Sequence, residues 1–165
     1  MQPEIEKRFR RSHISAYDFD RAIDFIKEAH KHKPRSIIYE ALMIGAIIYY
    51  GRPFSTNERK ADALSNARIE KELWDFEDPQ EQAFHDRIIL LRNKVVAHAE
   101  YGPGMYTTNV VSVDPTGQTS ILSNVWRASH EWFDLFKFER VATEMRARCH
   151  LAVAEDLLTS YPVGK

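Results

Sequence analysis

One cysteine in 165 residues, Cys149, leaves no partner for a disulfide within the chain and no thiolate cluster for zinc. A lone thiol of this kind fits a reducing compartment and reads as a small buried residue rather than a nucleophile. An excess of one charge is lacking too: 23 Lys and Arg stand against 24 Asp and Glu, a formal net charge of -1. That balance argues against binding nucleic acid through overall positive potential and leaves room for a local basic stripe. No apolar run is long enough to cross a bilayer: residues 37–50, the longest, contain Glu40 and fall short of the ~20 residues required. The N-terminus, with Glu4, Glu6, Lys7, Arg8, Arg10 and Arg11, has no apolar stretch suited to a signal peptide. These absences point to a cytoplasmic protein that does not engage a membrane.

Repeats, low-complexity tracts and Pro- or Ser-rich linkers are missing as well, so residues 1–165 read as a single domain. A chain of this length can bury about two-thirds of its extended surface on folding, enough for a sizeable core. An apolar content of 44% beside 28% charged residues is that of an ordinary globular protein, which excludes intrinsic disorder.

Helical spacing dominates what is present. Ser15 to Asp18 offers a capping start, and Phe19, Ala22, Ile23, Ile26 and Ala29 follow along one face, with residues 1–14 left as a loose N-terminal arm. The basic and aromatic side chains of that arm, Lys7 to Arg11, suit an RNA backbone or plain solvent. Pro34 is placed to open a second helix that is apolar nearly all round and therefore central and most buried, with Gly51 and Pro53 ending it in a left-handed cap. Residues 55–77 are polar and mixed, with a short exposed helix around 59–73. Asp78-Pro79-Gln80-Glu81 combines a capping carboxylate, a proline at the first helical position and an acid near the dipole's positive end. The helix it opens has the apolar face Phe84, Ile88, Leu91 and Val95 and stops by Gly102-Pro103-Gly104. Residues 106–113 and 119–125 are β-branched and flank Asp114-Pro115-Thr116-Gly117, so residues 104–126 read as a β-hairpin insertion. From about residue 129 to 159 the pattern is helical again, with a kink as an option. The expected fold class is all-α, an up-and-down helical bundle of four to five helices with a small β-hairpin insertion.

The most informative segment lies at the end of the helix begun by Asp78. Leu91-Arg92-Asn93-Lys94-Val95-Val96-Ala97-His98 sets Arg, Asn and His into an apolar run, a combination that a buried face rarely tolerates. A neutral His can move a proton near pH 7 and an Arg can hold negative charge developing on a phosphoryl group, without a metal or other cofactor. At about 100° per residue the two project roughly 120° apart on a regular helix, so they converge only if the helix deforms or two copies meet.

This segment resembles the signature of the HEPN superfamily, in which an Arg, usually followed by a polar residue, precedes a His by four to six intervening positions; here Asn93 to Ala97 make five. The resemblance centres on residues 16–100. It implies a metal-independent endoribonuclease of the toxin, antiphage or abortive-infection kind, acting as a homodimer with facing motif helices, with an antitoxin of nucleotidyltransferase type as a further partner. In that chemistry the RNA 2′-hydroxyl attacks the adjacent phosphorus and leaves a 2′,3′-cyclic phosphate and a 5′-hydroxyl. His98 would transfer the proton, Arg92 would stabilise the pentacoordinate phosphorus and Asn93 would position the phosphate or the His. Around them Arg52 and Tyr50 are candidates for phosphate contact and base stacking, His85 for extending a basic stripe, and Glu40 for tuning Arg92 or His98.

Two other readings fit the same residues. One is a non-catalytic HEPN-like module that binds a nucleotide or a protein partner through the motif; the other is a structural helical assembly protein. Protease, NTPase and hydrolase signatures are missing: His130-Glu131 lacks a second His, and neither a Gly-rich phosphate loop nor a Gly-x-Ser-x-Gly elbow occurs.

Overall fold

The computed structural model describes residues 2–55, 69, 73–93, 106–113, 119–125 and 134–161, the two strands by backbone alone. Among these residues the chain is predominantly helical. Helix α1 spans Pro3–Ala29, α2 Ile37–Gly51, α3 Pro79–Leu91 and α4 Leu135–Ser160, and a short 3-10 turn, Arg52–Phe54, follows α2. No helix among the described residues is long and apolar enough to cross a membrane.

Helices α1 and α4 lie antiparallel, as their cross-links show. Arg8 pairs with Asp156, Asp20 with Arg146 at 2.8 Å, and Lys27 and His30 with Glu139 at 3.8 and 3.7 Å, so position falls along α4 as it rises along α1. Between them lie Phe19, Ile23 and Ile26 of α1 and Phe138, Val141, Met145 and Cys149 of α4, all buried. Each large apolar side chain removed from water there contributes about 1.5–3 kcal/mol. Burial pushes the Cys149 thiol up to about 12, which leaves it protonated and inert at neutral pH.

Residues 3–14 are the first turns of α1, not a loose arm. Pro3 stands in the first turn, Glu4 and Glu6 face the dipole's positive end, and Ser12 and Ser15 are buried. The packed face of this half is polar, so apolar periodicity does not reveal it. Arg8 is tied to α4, and Arg11 donates to the carbonyls of Arg52 and Pro53 at 3.2 and 2.7 Å.

Helix α2 folds back along α1, with Phe25 against Gly45 and Tyr49, and Phe19 against Tyr50. Ser36 opens it, accepting from the Tyr39 N–H at 3.2 Å; Pro34 stays in the preceding turn, where Arg35 takes a left-handed φ of 70°. The expectation of a helix buried all round is corrected here. Tyr39, Met43, Ala46, Ile47 and Tyr50 face the core, whereas Ile37 is 86% and Ile48 37% exposed.

The acidic start of α3 forms as expected, with the Asp78 carboxylate accepting from the Gln80 N–H at 2.8 Å and Pro79 first in the helix. Ile88 and Leu91 are fully buried and Phe84 packs against the core beside Phe138; Val95 lies outside the described residues. The Asp134 carboxylate caps α4 by accepting from the Lys137 N–H, and the helix runs uninterrupted from Leu135 to Ser160.

Strands β1 (Tyr106–Val113) and β2 (Thr119–Val125) pair antiparallel, from Tyr106 opposite Val125 to Val113 opposite Thr119, with an irregularity between Val110 and Ser112. Asp114-Pro115-Thr116-Gly117, assigned from the sequence to a tight turn, lies outside the described residues.

Candidate functional site

The described part of the motif sits where α3 ends against the last turn of α2. The Arg92 N–H bonds to the carbonyls of Ile88 and Ile89, and Arg92 and Asn93 continue α3 in a wider, π-type turn. The Arg92 side chain runs over Gly51: a Cβ at residue 51 would stand 2.6 Å from Arg92 Cγ and 3.1 Å from its Cβ and Cδ. Gly51 is helical, with φ -80° and ψ -15°, so its glycine serves this close approach and not a left-handed cap. At the other end of the stem, Arg92 Nη1 donates to Asn93 Oδ1 at 2.8 Å. Burial lowers the Arg92 pKa from its ordinary value, yet a guanidinium remains charged.

Two more guanidiniums converge on the same corner. Arg52 Nη1 lies 3.1 Å from Asp18 Oδ1, and its guanidinium sits 5.2 Å above the Tyr49 ring. Arg11 adds a side-chain hydrogen bond to the carbonyls of Arg52 and Pro53, which also accept from the Ser55 and Ile69 N–H groups at 3.1 Å. Burial lowers the Arg11 pKa, opposed by the nearby Asp18 carboxylate. Burial likewise raises the Asp18 carboxyl above its ordinary range, opposed by Arg52 and Arg11. The corner formed by residues 51–53 therefore brings Arg52 and Arg11 to the buried Asp18 carboxylate, while the Arg92 stem crosses Gly51 and its guanidinium bonds to Asn93.

Behind this corner lies a buried polar pair. Tyr50 Oη and His85 Nδ1 are 2.7 Å apart, and both residues are 0% exposed. Phe19, Phe54 and Phe138 surround the tyrosine ring, and Phe54, Trp74 and Phe76 surround the imidazole. Burial among these rings pushes His85 down to about 4 and Tyr50 well above its ordinary value, so both are neutral at pH 7.

The candidates separate accordingly. Arg92, Asn93 and Arg52 gather near the end of α2, joined by Arg11, Asp18 and Gly51, none of which the sequence motif marks. His98 lies outside the described residues. Tyr50 and His85 are corrected as RNA-contacting residues: no part of either side chain reaches the surface, so neither can stack on a base or meet a phosphate. Glu40 sits in the first turn of α2, eleven residues and roughly 16 Å along the helix from Gly51, too far to tune Arg92 directly. Among the described residues no group of three His, Cys, Asp or Glu side chains is placed to hold a metal ion.

Comparison with known proteins finds no matching family model, no matching curated protein and no matching solved structure.

Proposed function

We propose that this chain is a HEPN-type, metal-independent endoribonuclease of the toxin or antiphage kind, working in the cytoplasm as a homodimer whose motif ends face one another. The observation that carries this reading is the seating of Arg92: its stem lies on Gly51 and its guanidinium is held by Asn93. A guanidinium held in place can stabilise charge that develops on a phosphoryl group without reorganising when the reaction occurs.

In the proposed reaction a neutral His98 accepts the proton of the RNA 2′-hydroxyl, whose oxygen attacks the adjacent phosphorus. Arg92 stabilises the pentacoordinate phosphorane, and Asn93 orients the phosphate. The 5′-oxygen leaves, taking a proton from a protonated His98 of the second copy, so the products are a 2′,3′-cyclic phosphate and a 5′-hydroxyl. DNA lacks the attacking hydroxyl and is not a substrate. The antiparallel strands β1 and β2 are read here as a hairpin insertion that is a lid, a dimer arm or an ornament, and a nucleotidyltransferase-type antitoxin is the further partner.

The test is incubation of RNA with the purified protein and its H98A and R92A variants in EDTA, followed by analysis of product ends. Cyclic-phosphate ends from the wild type alone support the proposal. Intact RNA with a folded wild-type protein sinks it and moves the weight to a module that binds a nucleotide or partner phosphate.

A further inference from the structure

The bond between Tyr50 and His85 joins α2 to α3 inside an aromatic box, where a polar contact needs a reason. The tautomer that leaves the fewest groups unpaired has the Tyr50 O–H donating to His85 Nδ1, with the Nε2–H turned toward the surrounding rings. Reversing the bond would strand the tyrosine hydrogen and the Nε2 lone pair together. Nε2 indeed finds no hydrogen-bond partner among the described residues.

The two helices meet at a second point two turns away. His85 and Arg92 are seven residues apart, roughly 10 Å along α3 and on nearly the same face, while Tyr50 and Gly51 are neighbours on α2. Aromatic packing alone is non-directional and tolerates small slides and rotations. A 2.7 Å hydrogen bond does not, and a buried one that slips leaves both partners unsatisfied.

We infer that Tyr50 and His85 are positioning residues whose hydrogen bond fixes the register of α3 on α2 and thereby seats the Arg92 stem on Gly51. The register itself follows from the buried bond; its bearing on catalysis rests on the proposed function. Arg92 keeps α-helical dihedrals and bonds through its N–H to the Ile88 carbonyl, so its stem goes where α3 goes, and what must be defined is the placement of α3 on α2. The bond at His85 supplies that definition from the interior.

The test replaces both polar groups at once. Y50F/H85F keeps a ring at each position and leaves no orphaned donor or acceptor, so it should fold while losing the bond. The readout is the nuclear Overhauser contact between the Gly51 Hα and Arg92 Hγ protons, which the wild type should show. This cross-peak should vanish or fall at least threefold in the double variant, whose spectrum stays dispersed. Y50F alone, which removes one hydroxyl, should weaken it in the same direction. A cross-peak of wild-type intensity in a folded double variant overturns the inference and leaves the pair as packing. Failure of both variants to fold also overturns it, because the bond would then hold up the core rather than set a register. If the protein cleaves RNA, the folded double variant should lose at least tenfold in kcat with KM unchanged. If it does not, the cross-peak still decides the positioning role.

Discussion

Gly51 and Arg92 occupy the same space in turn: the stem of the arginine lies where a side chain at residue 51 would begin. Because the atoms concerned are Arg92 Cβ, Cγ and Cδ, and not the mobile end of the chain, relief of a clash would have to move the end of α3.

G51A should therefore reverse its sign with the residue at 92. In the wild-type background the added methyl costs about 1–3 kcal/mol of overpacking, which outweighs the ~1 kcal/mol that Ala gains over Gly in helical backbone. In an R92G background, which removes the Cβ, Cγ and Cδ together, the space is free, and the same substitution should stabilise by up to about 1 kcal/mol. Urea unfolding of the four proteins in this cycle checks the coupling, and additive effects would show that the two residues do not meet.

Acid should weaken the fold through His85. Its folded pKa of about 4 lies below the ordinary value of 6.5, so the unfolded chain takes up the proton first. The stability that the neutral imidazole provides is fully present above pH 6.5, declines as pH falls, and is lost by about pH 4, a span on the order of 3 kcal/mol at most. Asp18 works in the opposite sense, since burial raises its folded pKa and its protonation favours the folded state. Comparing unfolding of wild type and Y50F/H85F at pH 7 and pH 4.5 cancels the Asp18 contribution. The wild type should lose more stability over that interval, and equal losses would place the His85 pKa near its ordinary value.

The pair linking the ends of α1 and α4 should respond unequally to loss of either partner. The Asp156 side chain is 0% exposed and that of Arg8 37%, and Asp156 Oδ2 has no partner among the described residues. R8A strands a buried carboxylate and should cost about 3 kcal/mol. D156A leaves an arginine already 37% exposed and should cost less, about 1–2 kcal/mol. Amide exchange over residues 3–14 should accelerate in R8A, whereas unchanged protection there would mean that the pair does not hold the first turns of α1.

Much of the helical framework is legible in the amino-acid sequence. Asp78-Pro79 announces α3, the spacing of Phe19, Ile23 and Ile26 announces the second half of α1, and each rests on a physical effect confined to neighbouring residues. The first half of α1 is hidden because Arg8, Arg11, Ser12 and Ser15 look like a solvated surface until α4 and the end of α2 supply their partners. At the site, the motif points to Arg92 and Asn93. It cannot show that Gly51 holds the arginine stem, or that His85, two turns earlier on the same face, is interior.

Composition, capping and periodicity thus settle that this is a helical chain whose lone cysteine has no intramolecular disulfide partner, and they single out its segment of unusual chemistry. Those properties depend on interactions a few residues apart. Which polar residues are buried, and which of them meet, is decided only when α1, α2, α3 and α4 come together. A guanidinium, hydroxyl or imidazole has no preference for the interior until a distant segment offers the hydrogen bond that replaces water.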